Sequence, residues 1–579
     1  MKKRITTLFS WLLLIALIFS GCNATNTSAV TEGETAIEAA TDSSEGKRAE
    51  NQTYTFSSGS EVTSMDPHKT GAIPVWAAQA PVYENLVRYT VQEDKSVKIE
   101  PGVASEWTES EDGLTWTFKL REDAKWSDGS PVTANDFVYS WQRVYDPAVA
   151  SDYEWMVDGM IKGGAEFNKG TGAKEDIGVK AIDDYTLEFT LNHKVTFFLQ
   201  IVSFPTYKPV KQSAIEAFGD EYGTTIDKTV GNGPFMLSKW DQQEMVYVPN
   251  PHYWDQSNVI LTQINRKIVK EENPRAQALL AGEIDAAGIA EAEWRAMLDG
   301  DSRFEYLNEA GANVEFYMYQ LNNKYLSNKK IRQALSIAHD REKYVSEVGR
   351  DFGFAAYSVV PSVINCGELP YTSLVNAENK HIEKMISQYP DPKALLLEGL
   401  KELGLPEDPS LVELTIQTRG TGEASKEAAE WLKQAYAENL GINLKIEMTE
   451  WNIMWDNVTA GNFDIAVGGW GADLDDPSNL IDIFHTNPSK GYYHGEKTGW
   501  KGPQADAFNA LVEKAQKTSD NVEKAKVYVE AEKILLDEAI ISPIYFGEVS
   551  TYRAKKVKGL FSNSFTYLDY KGVYIEDLQ

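Results

Sequence analysis

Apolar and polar positions alternate with a period of two in LTWTFKL, where Leu114, Trp116, Phe118 and Leu120 share one face. The same pattern recurs in YTLEFTL with Tyr185, Leu187, Phe189 and Leu191, after an Asp-Asp turn. Both runs predict half-buried strands. Between residues 424 and 448 the period changes. Ala428, Leu432, Ala435 and Leu440 mark a helix that stops at Gly441, and Ile442, Leu444, Ile446 and Met448 follow as a strand. Further on, NVEKAKVYVEAEKILLDEA places Val522, Ala525, Val529, Leu536 and Ile540 on one helical face, with Asp520 near its cap. Strands and helices are intermixed throughout, which predicts an α/β fold.

One segment echoes another. PRAQALLAGEIDAAGI and MWDNVTAGNFDIAVGGW each read as a helix, an Ala-Gly turn, an acidic residue and a small-residue strand, centred on Gly282 and Gly461. Two such units far apart predict two lobes of related design with a cleft between them. Chance likeness of two helix-to-strand turns is the alternative, since such turns commonly use glycine.

The chain begins MKKRITTLFSWLLLIALIFSGC, with basic residues ahead of an apolar run from Ile5 to Phe19. That run is shorter than the roughly 20 residues of a membrane span, so it reads as a secretion signal. Phe19-Ser20-Gly21-Cys22 resembles a lipobox, with phenylalanine where leucine is usual, and marks Cys22 as a lipidation site. An ordinary cleaved signal with an incidental cysteine is the alternative. Residues 23 to 52 are rich in Thr, Ser, Ala and Glu without apolar periodicity, and are expected to form a flexible tether. Loss of Lys2, Lys3 and Arg4 with the leader takes the formal charge from −30 to −33. That balance argues against nucleic acid as a partner. Apart from Cys22 only Cys366 is present, so no intrachain disulfide is expected and the fold must rest on its core.

The sequence carries no HExxH, GxSxG, CxxC or phosphate-loop motif, and no catalytic centre, metal site or cofactor is expected. The glycine pairs of KGTGAKE and RGTGEAS lack the third glycine of a dinucleotide site. His485 and His494 are expected to be surface loop residues rather than metal ligands. The 15 tryptophans and 28 tyrosines exceed the needs of a core, and some are expected to line the cleft. In VGGWGADLDDPSNL, Asp476 and Pro477 make a good start for a helix from Ser478 to Phe484. Asp473, between the glycines and that helix, has no comparable local reason.

Several runs together resemble the peptide/nickel family of extracellular solute-binding proteins. They are PGVASEWTESEDGLTWTFKLREDAKWSDGSPVTANDFVYSWQRVYDP, SMDPHKTGAIP, GVKAIDDYTLEFTL, GNGPFMLSKW, AGEIDAAGI, IRQALSIAHDR and the segment around Asp473. The likeness runs from about Thr53 to the C-terminus. It is greatest to the oligopeptide-binding lipoproteins that feed ABC importers, which share the pattern of tryptophan, small residue, alanine and aspartate at Trp470 to Asp473. The resemblance implies that Asp473 pairs with a peptide's α-amino group. It further implies aromatic walls at Trp470 and Trp451, a tyrosine from the smaller lobe at Tyr153, and a strand at residues 70–73, including Ala72 and Ile73, that offers its main chain. Glycines at 468, 469 and 471 would let ligand and protein backbones approach closely. For each aromatic, core packing is the competing reading, and for Asp473 a structural bond within its own loop.

The implied fold is α/β and bilobal, like periplasmic binding proteins with two crossing hinge segments, plus an inserted domain. The first lobe would comprise residues 53–83, 209–315 and 543–579, the insert 84–208, and the second lobe 316–542, with hinge strands near 316–323 and 541–546. Residues 1–22 would be the leader and 23–52 the tether. The implied function is capture of oligopeptides, including signalling peptides, by a monomeric protein that is not an enzyme. It would be lipid-anchored on the outer face of the bacterial cytoplasmic membrane and serve an ABC permease there. Val458 and Val467 stand where certain family members carry arginines that meet the carboxylate of short peptides, so tolerance of longer or more apolar peptides is expected. A nickel chelate or an oligosaccharide remains the alternative solute, and a secreted two-carboxylate hydrolase the alternative class.

Overall fold

The computed structural model describes residues 47–93, 97–349, 353–375, 380–488, 490–561, 565 and 568–578. The expected leader, Cys22 and residues 23–46 of the expected tether lie outside the described residues. The remainder of that stretch is not loose. Ala49 donates its amide to the Ile575 carbonyl at 2.9 Å, and the Gln52 carboxamide donates to the same oxygen, also at 2.9 Å. The folded chain therefore starts before Gln52, because the C-terminal segment offers these residues backbone partners that composition does not reveal.

Two large sheets carry the architecture. The first has seven strands, in the order Phe304–Ala310, Glu548–Ala554, Ala286–Ala287, Thr53–Ser58, Gln263–Ile268, Glu244–Pro249 and Phe235–Trp240. The second has six, in the order Phe354–Ala355, Ile541–Phe546, Asn313–Tyr319, Ile465–Gly471, Thr415–Gln417 and Lys445–Glu447. In Asn313–Tyr319 the alternation of a strand separates two cores: Val314, Phe316 and Met318 enter one, Tyr317 and Tyr319 the other. The helix Asn521–Asp537 covers the first of these faces and Glu423–Asn439 the second. Along the later helix Ala525, Val529 and Leu536 are buried as expected, but Val522 is exposed near the first turn. Gly441 ends the earlier helix with φ +80°, a conformation that favours glycine.

The two echoed units fall one in each sheet and match in detail. Gly282 and Gly461 both have positive φ, at +74° and +71°. Asp285 accepts from the Thr55 amide at 2.8 Å, and Asp464 from the Thr415 amide at 3.0 Å. In each case the acceptor's strand lies parallel to the donor's. The aspartate of the motif thus fastens its own strand to a parallel neighbour.

The chain passes between the sheets at adjacent points. Strands Phe304–Ala310 and Glu548–Ala554 pair in the first sheet, and the same two chains continue as Asn313–Tyr319 and Ile541–Phe546, paired in the second. At the crossing Gly311 donates to the Gly547 carbonyl at 2.7 Å, and a Cβ on Gly311 would lie 2.6 Å from that oxygen. The close approach requires glycine. The crossing therefore precedes the expected strand at 316–323 by a few residues.

Residues 115–120 and 186–190 form strands that pair antiparallel, with Phe118 opposite Leu187 and Trp116 opposite Phe189. They belong to a separate four-stranded sheet, whose core also takes in Trp126, Trp141 and, from far along the chain, Leu474.

Candidate functional site

Strand Ile465–Gly471 leaves the second sheet beside Asn313, and Ala472 continues the pairing by donating to the Ala312 carbonyl at 2.6 Å. The next residues turn toward the separate four-stranded unit. Leu474 enters its core, and the Asp475 amide donates to Gln200 Oε1 at 2.9 Å. Asp473 is left at the bend, 7% exposed, its amide donating to Asn479 Oδ1 at 2.6 Å. Its Oδ1 accepts from the Tyr153 hydroxyl at 3.2 Å. Burial pushes the carboxyl up to about 7, against the opposing pull of the Tyr153 and Asn479 hydrogen bonds.

Tyr153 is held in turn. The Tyr207 hydroxyl donates to its carbonyl at 2.9 Å, and its ring packs on Trp76 and Phe204 with centroids 5.1 and 5.2 Å away. A Cβ on Gly71 would lie 2.5 Å from the Tyr153 ring, so HKTGAIP needs its glycine here. The expected strand at 70–73 is corrected: Thr70 and Ala72 are extended, but Ile73 opens the helix Ile73–Gln79 with Pro74 in its first turn. Proline's fixed φ and missing N–H suit that position.

A cavity of about 500 Å³ collects Ile73, Trp76, Trp470, Gly471 and Asp473 in its lining. Gly471 has open space where a side chain would be, whereas a Cβ on Gly468 would meet the Phe316 ring at 2.5 Å, which is a packing reason for that glycine. Trp470 donates through Nε1 to Asn479 Oδ1 at 3.2 Å and packs on Trp155 and Tyr492 at 5.8 and 4.9 Å. Ala72 caps the helix behind the cavity and does not line it. Trp451 lies apart, 48% exposed and stacked on Trp455. Asp476 does assist its helix, accepting from the Ser478 amide at 3.0 Å, and also forms a buried ion pair with Lys524 at 2.5 Å. The helix is a short turn, Ser478–Ile481, continued as a 3₁₀ turn to Phe484.

Charged groups that sequence reasoning did not assign to the site enter the same cavity from strands and loops. Arg419, in the RGTGEAS stretch, pairs with Glu315. Arg88 pairs with Asp569 and lies 4.0 Å from Glu84, which accepts from the Tyr253 hydroxyl at 2.5 Å and from Trp254 Nε1 at 2.7 Å. Lys208 completes the set of cations. No local spacing links these residues, and only the fold brings them together. Val458 is in the core, and Val467 packs against the adjoining one. His485 is corrected: it is 3% exposed, not a surface residue, and its Nδ1 accepts from the Asn487 amide at 3.1 Å.

The model for "Bacterial extracellular solute-binding proteins, family 5 Middle" matches residues 98–492. The periplasmic oligopeptide-binding protein OppA of Salmonella typhimurium is 32% identical over 504 residues, covering 86% of this chain and 88% of its own. The oligopeptide-binding protein OppA of Bacillus subtilis is 28% identical over 567 residues, 97% of each chain. Among solved structures, Haemophilus influenzae OppA in complex with the peptide RPPGFSPFR is similar with a TM-score of 0.78 at 25% identity, over 92% of this chain and 100% of that one. The Escherichia coli murein tripeptide-binding protein MppA gives 0.77 at 27% identity with the same coverage. These likenesses show a bilobal periplasmic-binding fold, with which the mixed α/β sheets agree. By the match over residues 98–492 and the identity spanning most of both chains, the protein belongs to the bacterial extracellular solute-binding proteins of family 5.

Proposed function

We propose that the protein captures peptides in the cavity beside Asp473, with the ligand's α-ammonium on the Asp473 carboxylate. The observation that carries this reading is a carboxyl group buried at the end of a cavity-lining strand, held by Tyr153 and raised to about 7 by burial. An ammonium taken out of water needs such a partner, and a buried carboxylate gains equally from a cation. The amine is present whatever the peptide's sequence, so terminal capture suits a binder of many peptides. The names of the relatives, oligopeptide-binding proteins among them, support the same solute class. A volume of about 500 Å³ falls in the range of small-molecule pockets, which a peptide of a few residues fills. The tolerance of longer peptides expected from Val458 and Val467, signalling peptides included, is a matter for a length series.

The wider reading places the protein outside the cytoplasm, anchored through lipidated Cys22, acting as a monomer that delivers its ligand to an ABC permease. A solved structure at 28% identity is the substrate-binding domain of an oligopeptide ABC transporter from Bacillus anthracis, which supports that role. Closure of the two lobes about Gly311 and Gly547 would sequester the ligand.

The test is calorimetry on protein unfolded and refolded to strip carried ligand, titrated with free-amine peptides, the same peptides N-acetylated, and the Asp473→Ala variant. Losses of about 2–5 kcal/mol from both changes are expected, the range for removing one partner of a buried charge pair in a complex. Equal binding of acetylated and free peptides would show Asp473 to be structural, and absence of peptide binding would end the reading.

A further inference from the structure

Lys208 follows the short turn Pro205–Tyr207, precedes Pro209 and contributes to the cavity lining while only 6% exposed. Its main chain is fixed from behind. His68 Nε2 lies 3.1 Å from the Lys208 carbonyl oxygen, and His68 Nδ1 lies 2.8 Å from Arg143 Nη1. Both contacts fit a neutral imidazole protonated on Nε2. Burial, reinforced by Arg143, holds this histidine down to about 3. Arg143 is itself bound through two nitrogens to Asp66, at 2.9 and 2.6 Å. This buried set pins the backbone from which the Lys208 side chain departs.

The ammonium at the end of that side chain has no such support. It forms no ion pair and no side-chain hydrogen bond with any described residue, and burial pushes it down to about 7. The other cations of the lining are provided for: Arg88 has Asp569, with Glu84 and Glu100 at 4.0 and 3.9 Å, and Arg419 has Glu315. Nearby in the same lining Asn85 is 5% exposed, with Nδ2 donating to the Phe204 carbonyl at 3.0 Å and Oδ1 lacking a donor among the described residues. A buried ammonium without a counter-charge is costly to the fold, and a methionine of similar length would serve packing better. Holding a cation at a cavity wall without an internal anion is a gain only where the anion arrives with the ligand.

We propose that Lys208 is a carboxylate-recognition residue of the cleft, pairing with a carboxylate carried by the bound ligand. The proposal rests on the reading of the cleft as a peptide site and adds to it a second anchor of opposite sign. Asp473 takes the ammonium and Lys208 the anion. A peptide offers that anion from its C-terminus or from an acidic side chain, and the chemistry at Lys208 is the same for both.

The experiment is calorimetry with the full chain, stripped of carried ligand, and with Lys208→Met. The probes are free-amine peptides of about three to six residues, each made as free acid and C-terminal amide, and with glutamate or glutamine at each inner position. The expected result is a tenfold or greater weakening of wild-type binding by one of the two neutralisations, with charged and neutral probes alike in the variant. Sensitivity to amidation assigns the C-terminal carboxylate, and sensitivity to glutamine the acidic side chain. Charge-blind binding by the wild-type protein overturns the proposal and leaves the peptide site intact. A charge preference that persists in Lys208→Met overturns it equally, by passing the role to another cation. If no free-amine peptide binds, the peptide reading falls and this one with it. Should Lys208→Met fail to fold, the wild-type series is read beside the lysine ammonium resonance of Lys208. Its titration should move upward with the effective acid probe and stay in place with the neutral counterpart; no movement with either overturns the proposal.

Discussion

The hydroxyl of Tyr153 and the carboxylate of Asp473 meet at 3.2 Å across 320 residues of sequence. The bond joins the four-stranded unit to the exit of a strand from the second sheet, where the ligand's ammonium is proposed to sit. Tyr153→Phe should weaken peptide binding by about 1 kcal/mol, the net worth of one hydrogen bond. Asp473→Asn should cost more, and the double variant less than the sum, since both changes remove one shared contact. Additive losses in calorimetry would show that the two residues act separately.

The state of Asp473 sets a pH dependence. Its folded carboxyl, at about 7, lies above the roughly 3.9 of an unfolded chain, so between these values the folded protein holds the extra proton. Unfolding stability of the empty protein therefore falls as pH rises from about 4 to about 7, and stays reduced above. Asp482, also at about 7, and Glu154, at about 7, act in the same direction, so the measurement is the difference between wild type and Asp473→Asn. The variant should gain on the wild type by about 2–3 kcal/mol between pH 5 and pH 8 in urea unfolding, at about 1.4 kcal/mol for each pH unit from 5 up to the folded value. Peptide affinity has the opposite slope, rising with pH to about 7, because the ammonium needs the ionised carboxylate. A flat stability difference would show that Asp473 ionises normally.

Gly71 has its own test. Alanine there would place a methyl group 2.5 Å from the Tyr153 ring. Gly71→Ala should push the ring from Asp473 and weaken peptide binding by about 1 kcal/mol or more, comparable with loss of the Tyr153 hydrogen bond. An unchanged dissociation constant would mean that the loop yields instead of the ring.

Two tryptophans expected to share a wall should differ. Trp470 lines the cavity and shares Asn479 with the Asp473 amide. Trp470→Ala should cost about 2 kcal/mol of binding, in the range of a buried aromatic anchor. Trp451 is 48% exposed and outside the lining, and Trp451→Ala should stay within about 0.5 kcal/mol. Equal losses would bring Trp451 back into the site.

The ion pair between Asp476 and Lys524, with both side chains 3% exposed, supports the segment that follows Asp473. Lys524→Met leaves a buried carboxylate alone and should destabilise the fold by about 3–5 kcal/mol, whereas Asp476→Leu with Lys524→Met should recover most of that. Chemical denaturation of the three variants distinguishes a pair that stabilises from one that is merely satisfied.

Elements whose information is local were legible in the sequence. The alternations of residues 114–120 and 185–191 and the helix stop at Gly441 each contain their own cause, a period or a permitted φ. The echo around Gly282 and Gly461 was legible as pattern, but the use of its aspartate, tying two parallel strands, appears only when the neighbour is in place. Asp473 stood out because nothing beside it in the chain explained it. Lys208, Arg419 and Glu84 gave no such sign: each lies in an ordinary loop and acquires its setting from segments more than a hundred residues away. His485 misled for the same reason, as a polar residue in a turn whose burial is imposed by other elements.

The contact between Gly311 and Gly547 has a further meaning. Two pins set side by side on one edge leave a door a single angle to vary. If the lobes close on a ligand as proposed, joints at these neighbouring points would resist sliding and independent twist, and ligands differing in side chains would be reduced to one reading, shut or ajar. A partner resting on the outer faces of both sheets would sense that reading without ever touching the cargo.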